Sequence, residues 1–253
     1  MKLGLVLAAL LLLAIALAYR APASLVDGRV AAVTEGRVRV ADSAGTLWNG
    51  AGDVVLLPKG TRRAIAWHID AWPLVTGEVR GTLAVGGASA SRADFAYGPH
   101  RTELNRFDLS LPVDSVLQSA GVPQALLGAG GSLVAHVDRF VQTAQTIDAD
   151  LSLQWRDASL PSLRPGLRIA LGDIQADLRG SGTEAAGPLA NRGGDVDIAG
   201  RIAVSAALVP RIDATVRPRA GLDRDRAEAI ATALSLIGAP DGQGGFRVAW
   251  SGS

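Results

Sequence analysis

The side chains of this chain that could carry catalysis or bind a metal are few and widely separated. The 253 residues include no cysteine and three histidines, which are His68, His100 and His136. Without cysteine there is no thiol nucleophile, no disulfide and no thiolate metal site. None of the histidines lies in a spacing such as H-E-x-x-H, which places two imidazoles on one zinc ion. We therefore expect all three to be structural or surface residues.

Pairs of aspartates two residues apart are the next candidates, because two carboxylates on one face can share acid and base roles or bind calcium. The sequence has three such pairs: Asp148 with Asp150, Asp195 with Asp197, and Asp223 with Asp225. In a strand, residues i and i+2 point to the same side, so the first two pairs are expected to mark the solvated face of strands. The glycine turn and distal glutamate of a calcium loop are missing.

Serine and glycine motifs also fail to indicate a reaction. The stretch 87–91 contains Ser89 after a glycine but lacks the second glycine of a nucleophile elbow. The glycine clusters at 50–52 and 128–131 match neither a dinucleotide fingerprint nor a phosphate loop, so they are expected to form turns. The sequence therefore predicts no catalytic site, no metal site and no cofactor, and the protein is not expected to be an enzyme.

The charge balance also argues against nucleic acid as a partner. Lysine and arginine total 25 against 24 aspartates and glutamates, and no dense basic block is present. Proteins that bind nucleic acid concentrate positive charge where the phosphate backbone lies.

Tryptophan carries more information than the polar residues. Three of the five tryptophans, Trp48, Trp67 and Trp72, fall within 25 positions of one another. Large rings beside turns could line a groove or contact a partner, whereas the alternative is that they fill the core of a sheet otherwise built from alanine and valine. Taken singly, each ring is more often core. The Asn49-Gly50 dipeptide predicts a two-residue hairpin turn beside Trp48.

The elements that must position these residues read mainly as strands, because apolar and polar residues alternate with period two from residue 36 onward. Short runs separated by glycine or proline favour antiparallel pairing. The predicted fold is mainly β, an extended or curved antiparallel sheet with two or three short helices, with a compact barrel or sandwich as the alternative. The predicted strands are 37–40, 54–57, 64–69, 78–85, 93–97, 104–111, 132–140, 146–155, 168–178, 195–209, 211–216 and 246–250.

Three segments have helical spacing instead. Residues 21–33 form a weak helix or linker, 113–120 form a short helix ended by Gly121, and 227–237 form a helix ended by Gly238. Asp223 and Asp225 precede the third helix, where carboxylates stabilise the positive helix N-terminus. Its apolar stripe is expected to cover the end or a face of the sheet. The glycine-rich stretches 86–88 and 180–194 are predicted to be loops.

The N-terminal segment predicts contact with a membrane. Residues 3–19 contain no charge, and 17 helical residues span about 25 Å, at the short edge of what crosses a bilayer. Lys2 and the ending Ala16-Leu17-Ala18 also fit a cleavable signal peptide. We expect residues 1–20 to be a membrane anchor or signal peptide, with residues 3–19 in lipid and 21–253 as a periplasmic β-rich domain.

A series of short motifs resembles a known family. The first is G-T-x-W-x-G within Ser43 to Gly50, soon after the apolar segment. It is followed in order by Trp67, by the W-P-L-V-T-G run from Trp72, and by E-V-R-G from Glu78. L-S-L-P from Leu109, the pair Gly130-Gly131 and L-S-L-Q-W from Leu151 continue the series. In this order the motifs resemble the type II secretion system protein N family.

The resemblance implies a function that the candidate catalytic and metal-binding residues do not indicate. It implies a non-catalytic accessory subunit of the type II secretion system, single-pass in the inner membrane with its bulk in the periplasm. Such a subunit would support export of folded proteins across the outer membrane through contact with other type II secretion subunits. The alternative is a periplasmic lipid-binding or lipid-transfer protein of AsmA-like character, since a curved sheet with one apolar face can hold acyl chains.

Overall fold

The computed structural model describes residues 20–57, 60–86, 91–114, 128–161, 168–236 and 238–252. The chain divides into two compact units, residues 1–98 and 99–253. The predicted membrane segment at 3–19 lies outside the described residues, as does nearly all of the predicted helix at 113–120. Within the part that is described, no helix has the length and apolar character needed to span a membrane.

In its described part, the first unit is a helix followed by an antiparallel meander of five strands, with neighbours in the sequence paired in the sheet. A 3-10 helix from Trp72 to Thr76 connects the third and fourth strands. The elements are α1 (Ser24–Val33), β1 (Val38–Gly45), β2 (Asn49–Leu56), β3 (Thr61–Asp70), β4 (Val79–Val85) and β5 (Ser91–Tyr97).

Alternation along β3 builds the core of this unit. Ile65 and Trp67 are buried, whereas the residues on either side of each are exposed, as period-two side chains require. They pack with Val40 of β1 and with partly buried side chains of α1, including Val26 and Val30. Of the segment 21–33, residues 24–33 are therefore a helix that packs on the sheet, so the helix and not the linker is the correct alternative for most of this segment.

The outer edge of β1 is covered by the chain itself. Asp27 of α1 accepts a hydrogen bond from the Val40 backbone N–H at 2.8 Å and two from the Arg39 guanidinium at 2.9 and 2.6 Å. Further along, the Leu47 N–H donates to the Ala21 carbonyl at 2.8 Å. Edge strands whose backbone groups are occupied do not pair with other chains, so this edge is closed to a partner strand.

We predict that Asp27 makes the stability of the first unit depend on pH. The hydrogen bonds from Arg39 and Val40 lower the pKa of Asp27 to about 2 from its ordinary 3.8. Because the folded pKa lies below the unfolded one, the contribution is fully present above about 3.8 and is lost as the pH falls towards 2. The free energies of unfolding of the wild type and of Asp27→Asn, measured with urea, should differ at pH 6 and become equal as the pH falls from about 4 to 2. A difference in the free energy of unfolding that stays constant from pH 6 to about pH 2 would contradict the prediction. The control variant Glu35→Gln, at an exposed site nearby, should differ less from the wild type.

In its described part, the second unit is an antiparallel meander of nine strands and one helix. Each strand pairs with the next along the chain, except that β14 lies between β12 and β13. Strands β6–β9 are Arg101–Pro112, Gly130–Thr143, Ile147–Pro161 and Arg168–Gly182. Strands β10–β14 are Glu184–Arg192, Val196–Ser205, Pro210–Pro218, Ala239–Pro240 and Phe246–Ser251, and α2 (Arg224–Leu234) lies between β12 and β13. The mainly β, antiparallel fold with short helices is confirmed.

The register of the second unit assembles a continuous apolar face. Cross-strand partners run through eight strands without a charged residue: Leu109, Ala135, Leu153, Ala176, Leu189, Gly200, Ala214 and Val248. At one end of this face α2 contributes the buried side chains Ile230 and Leu234, which pack against Leu171, Val196 and Val216. The apolar stripe of α2 therefore covers the sheet, as its helical spacing predicts.

At the other end of the apolar face, the sheet of the second unit bends sharply. The Gln142 amide of β7 donates to the Ala206 carbonyl beyond β11 at 3.0 Å, although three strands lie between them in the sheet. The sheet is not flat across β10 either, since Cα atoms of β9 and β11 approach within 8 Å, less than the roughly 9.6 Å of two strand spacings in a flat sheet. The bend buries Ile147, Ala149 and Ala185 in one cluster.

The predicted loop at 180–194 is wrong, because most of this stretch is strand. β9 continues to Gly182 and β10 begins at Glu184, so Thr183 alone separates them. The glycines serve close approach between strands instead: a Cβ on Gly187 would lie 1.6 Å from the Asp177 carbonyl oxygen. Glycine in a strand interior often marks such a close approach or a bend.

The predicted hairpin turn at Asn49-Gly50 is also wrong. The turn is formed by residues 46–48, closed by a hydrogen bond from the Thr46 N–H to the Asn49 carbonyl at 2.8 Å, and Asn49 begins β2. Gly50 lies under the indole of Trp67, where a Cβ would be 2.3 Å from ring carbon Cζ2. The whole 50–52 cluster lies within β2 and forms no turn. In the cluster at 128–131, Gly130 and Gly131 begin β7, and only residues 128 and 129 precede that strand.

Candidate functional site

Trp67 belongs to the core of the first unit. The residue is 7% exposed, and its indole N–H donates to the Leu47 carbonyl at 3.0 Å. A buried tryptophan needs such a partner for its one polar group. The hydrogen bond also fixes the turn between β1 and β2, so Trp67 positions the segment that carries Trp48.

Trp72 is presented to solvent. It begins the 3-10 helix after β3, and 83% of its surface is exposed. The Pro73 carbonyl accepts hydrogen bonds from the Thr76 hydroxyl at 2.7 Å and from the Glu78 N–H at 3.1 Å. This short, hydrogen-bonded connection holds the exposed indole at a defined place.

Two more aromatic side chains lie at the same end of the first unit. Trp48 is partly buried in the β1–β2 turn, and its carbonyl accepts the Ile69 N–H at 2.7 Å, which places it beside the end of β3. Tyr97 ends β5 opposite Val79, the first residue of β4, and is 62% exposed. Trp48, Trp72 and Tyr97 are called the aromatic end below. Sequence reasoning missed Tyr97, because only the register places the end of β5 beside the start of β4.

Polar side chains complete the aromatic end. A ring nitrogen of His68, Nδ1, lies 2.7 Å from the Asn49 side-chain oxygen, and Nε2 lies 3.3 Å from Asp70. All three side chains are exposed at the end of β3 and the start of β2. Exposed aromatic rings beside hydrogen-bonding groups are the composition of protein interfaces.

We predict opposite outcomes for the two tryptophans when each is replaced by alanine. Trp67→Ala should lower the free energy of unfolding by about 3–5 kcal/mol, because it empties a core position. Trp72→Ala should change it by less than about 0.5 kcal/mol, because the ring packs little in the isolated chain. Urea unfolding of both variants checks this, and equal losses would contradict the assignment of one ring to the core and the other to the surface.

The remaining histidines occupy the solvated face or loops. His136 of β7 contacts Asp108 of β6 through Nδ1 and lies 3.3 Å from Asp138 through Nε2. The hydrogen bond to Asp108 raises the pKa of His136. His100 is exposed between β5 and β6. No group of three or more histidine, aspartate or glutamate side chains could hold a metal ion among the residues that the structure describes.

The acidic pair on β8 is solvated, as predicted. Asp148 pairs with Arg139 at 3.1 Å, and Asp150 pairs with Arg179 at 3.0 Å, with all four side chains well exposed. Exposed pairs of this kind contribute little to stability. The prediction that Asp223 stabilises the N-terminus of the helix is confirmed. Its carboxylate accepts a hydrogen bond from the Arg226 N–H at 2.8 Å and caps α2.

The prediction that Asp195 lies on a solvated strand face is wrong. Asp195 precedes β11 and is buried, where it accepts the Ala170 N–H and the Arg226 guanidinium, each at 2.8 Å. Its carboxylate thus joins β9 to α2. This burial arises because the turn before β11 folds back over β9, a contact that alternation along one strand cannot reveal.

The family model for Type II secretion system (T2SS), protein N matches residues 36–249. The match covers every strand of both units except the end of the last one. No significantly similar chain was found among curated proteins or among solved structures. The resemblance seen in the ordered motifs is confirmed, and the chain belongs to the type II secretion system protein N family.

Proposed function

We propose that the chain is an accessory subunit of the type II secretion system that acts by protein contact and not by catalysis. Residues 1–20 hold it in the inner membrane, and residues 21–253 lie in the periplasm, where they support export of folded proteins across the outer membrane. The observation that carries the proposal is the family match over residues 36–249, which includes strands of both units.

The aromatic end supports a contact role. An exposed indole such as that of Trp72 loses apolar contact with water when a partner covers it, and tryptophan and tyrosine are among the residues on which binding energy concentrates. Tyr97 and Trp48 lie at the same end of the first unit, as do the polar groups of His68 and Asn49. Because the 3-10 helix is held by hydrogen bonds, little conformational entropy is lost when this surface binds.

Photo-crosslinking in cells tests the contact. A benzophenone amino acid at position 72 should form adducts with another subunit of the secretion system. Position 33 is the matched control, because Val33 is 84% exposed and Trp72 83%. Adducts to secretion subunits from position 72 but not from position 33 would support the proposal. The same adducts from both positions, or none from position 72, would count against the aromatic end.

The membrane location needs a separate measurement. A chain anchored through residues 3–19 should stay in the inner-membrane pellet after alkaline carbonate extraction. It should also become sensitive to added protease once the outer membrane is opened. Release into the soluble periplasmic fraction of a chain that lacks this segment would show that the segment is removed as a signal peptide.

The apolar face of the second unit favours lipid binding as a second candidate function. Its row of cross-strand partners contains leucines that are only partly buried, among them Leu109, Leu153 and Leu189. A bent sheet with such a face can take up acyl chains along the strands. The face therefore offers a lipid site that is separate from residues 3–19.

Lipid analysis of the purified full-length chain tests this alternative. Leu153→Asp places a charge on the apolar face, whereas Gln154→Asp places one on the opposite face of the same strand. Co-purified lipid that is lost in Leu153→Asp and kept in Gln154→Asp would support lipid binding. Equal lipid in both variants would assign it to residues 3–19 and reject the alternative, provided that both variants keep the wild-type circular dichroism spectrum.

A further inference from the structure

The last long strand of the second unit has an edge that is only partly covered. β13 consists of Ala239 and Pro240, which pair with Arg247 and Phe246 of β14. From Val248 to Ser251, β14 pairs with β12 on one side, and no described strand pairs with it on the other. Unlike the closed edge at β1, this stretch has no side chain from a helix bonded to its backbone among the described residues.

The backbone groups that face this open edge follow from two hydrogen bonds. The Gly245 carbonyl accepts from the Asp241 N–H on the β13 side, and the Gly252 N–H donates to the Pro210 carbonyl on the β12 side, each at 2.9 Å. Along a strand, the backbone N–H and C=O groups of successive residues point alternately to one side of the strand and to the other. The N–H and C=O groups of Ala249 and Ser251 therefore point away from β12, towards the open edge.

A shallow depression of about 330 Å³ lies beside this edge, lined mostly by residues of one face of the sheet, with Ile212 and Trp250 completing its lining. The register places Arg201, Asp213 and Ala249 in one cross-strand row, and Ala203, Arg211 and Ser251 in the next. The residues nearest the edge, Ala249 and Ser251, are small. They leave room for a side chain from an added strand to reach the arginines.

The depression carries a net positive charge. Asp213 is engaged by Arg247 through two hydrogen bonds at 2.9 and 2.5 Å, which lower the pKa of this carboxyl. Arg201 and Arg211 are exposed, and neither has a carboxylate partner among the described side chains. An incoming carboxylate would therefore meet two guanidinium groups that are not already neutralised.

The opposite face of the same edge is apolar. Val248 and Trp250 alternate with Ala249 and Ser251, and Trp250 is 41% exposed. A strand added at this edge would place every second side chain against these apolar groups and the others towards Arg201 and Arg211.

We propose that the open edge of β14 binds an extended segment of a partner polypeptide in which acidic and apolar residues alternate. The backbone of the segment pairs with Ala249 and Ser251, its carboxylates enter the depression at Arg201 and Arg211, and its apolar side chains cover Val248 and Trp250. This mode of recognition takes affinity from main-chain hydrogen bonds and specificity from alternate side chains. The proposal rests on the proposed function, contact with another secretion subunit.

The test uses the full-length chain and a fluorescent ten-residue peptide of alternating valine and glutamate, with a valine–lysine peptide as the control probe. The wild type should bind the glutamate peptide at least about tenfold more tightly than the lysine peptide, and the affinity should fall with added salt. Ala249→Pro removes one N–H that points to the edge, a change that edge strands tolerate in the fold. It should weaken binding of the glutamate peptide at least about tenfold, as should the double reversal R201E/R211E, which should also favour the lysine peptide.

Several outcomes would overturn the inference. The first two are the absence of peptide binding to the wild type and equal binding of the two peptides. The third is unchanged peptide binding by the Ala249→Pro variant, once its urea midpoint has been shown to equal that of the wild type. Self-association without peptide that Ala249→Pro abolishes would show that the edge pairs with a second copy instead. In cells that lack the chain, full restoration of secretion by Ala249→Pro would overturn this edge as the contact and leave the proposed function standing.

Discussion

Replacing Gly187 by alanine is expected to destabilise the second unit by about 1–3 kcal/mol or more, which is the cost of forcing extra atoms into a packed interior. The added Cβ would lie 1.6 Å from the Asp177 carbonyl oxygen, well inside any contact that atoms tolerate. Because that oxygen belongs to the backbone of β9, relief requires the two strands to separate at the point where the sheet bends. Urea or thermal unfolding of the purified variant measures the loss.

Gly28 provides the matched control, because it also lies inside a regular element. A Cβ at Gly28 in α1 would meet nothing within 4 Å. Gly28→Ala should therefore stabilise the first unit by about 0.5–1 kcal/mol, through the better helix propensity of alanine. If the two variants had similar stability, the strand assignment of residues 184–192 would be contradicted.

Replacing Ile230 by alanine should cost about 2–5 kcal/mol. Ile230 has no exposed surface and packs in the cluster that joins α2 to β9, β11 and β12. The truncation leaves a cavity between the helix and the sheet, so the loss should appear as a lower urea midpoint for the second unit. The same truncation at Leu236, which is 63% exposed just after the helix, should change stability by less than about 0.5 kcal/mol.

Loss of α2 alone would give a different result. If Ile230→Ala kept the urea midpoint of the sheet and only reduced the helical signal, then α2 would be an independent surface helix. The packing of Ile230 and Leu234 against Leu171, Val196 and Val216 predicts that helix and sheet unfold together.

Most of the strands could be predicted from the sequence because alternation is local. The alternation of exposed Arg39 with buried Val40 shows which side of β1 faces the core without knowledge of the partner strand. The same holds in β3 for Ile65 and Trp67 and their exposed neighbours. Glycine could not be interpreted in the same way. A glycine at a turn and a glycine under a neighbouring strand have the same sequence signal, and only the register shows that Gly187 and Gly50 are of the second kind.

The candidate surfaces were only partly predictable for a related reason. The three tryptophans draw attention to the right segment, but the separation of buried Trp67 from exposed Trp72 depends on where β3 ends. Tyr97, Arg201 and Arg211 carry no motif at all. They become candidates because the meander brings the end of β5 beside β4, and because β13 is too short to cover β14.

A secretion assay in cells from which the gene for this chain is deleted tests its role in type II secretion most directly. A protein normally exported by the type II system is followed in the medium and in the periplasm, with and without the wild-type gene restored on a plasmid. If the chain supports type II secretion, the deletion should leave less of that protein in the medium and cause its accumulation in folded form in the periplasm. The wild-type gene should reverse both effects. Unchanged release without periplasmic accumulation would contradict a role in type II secretion.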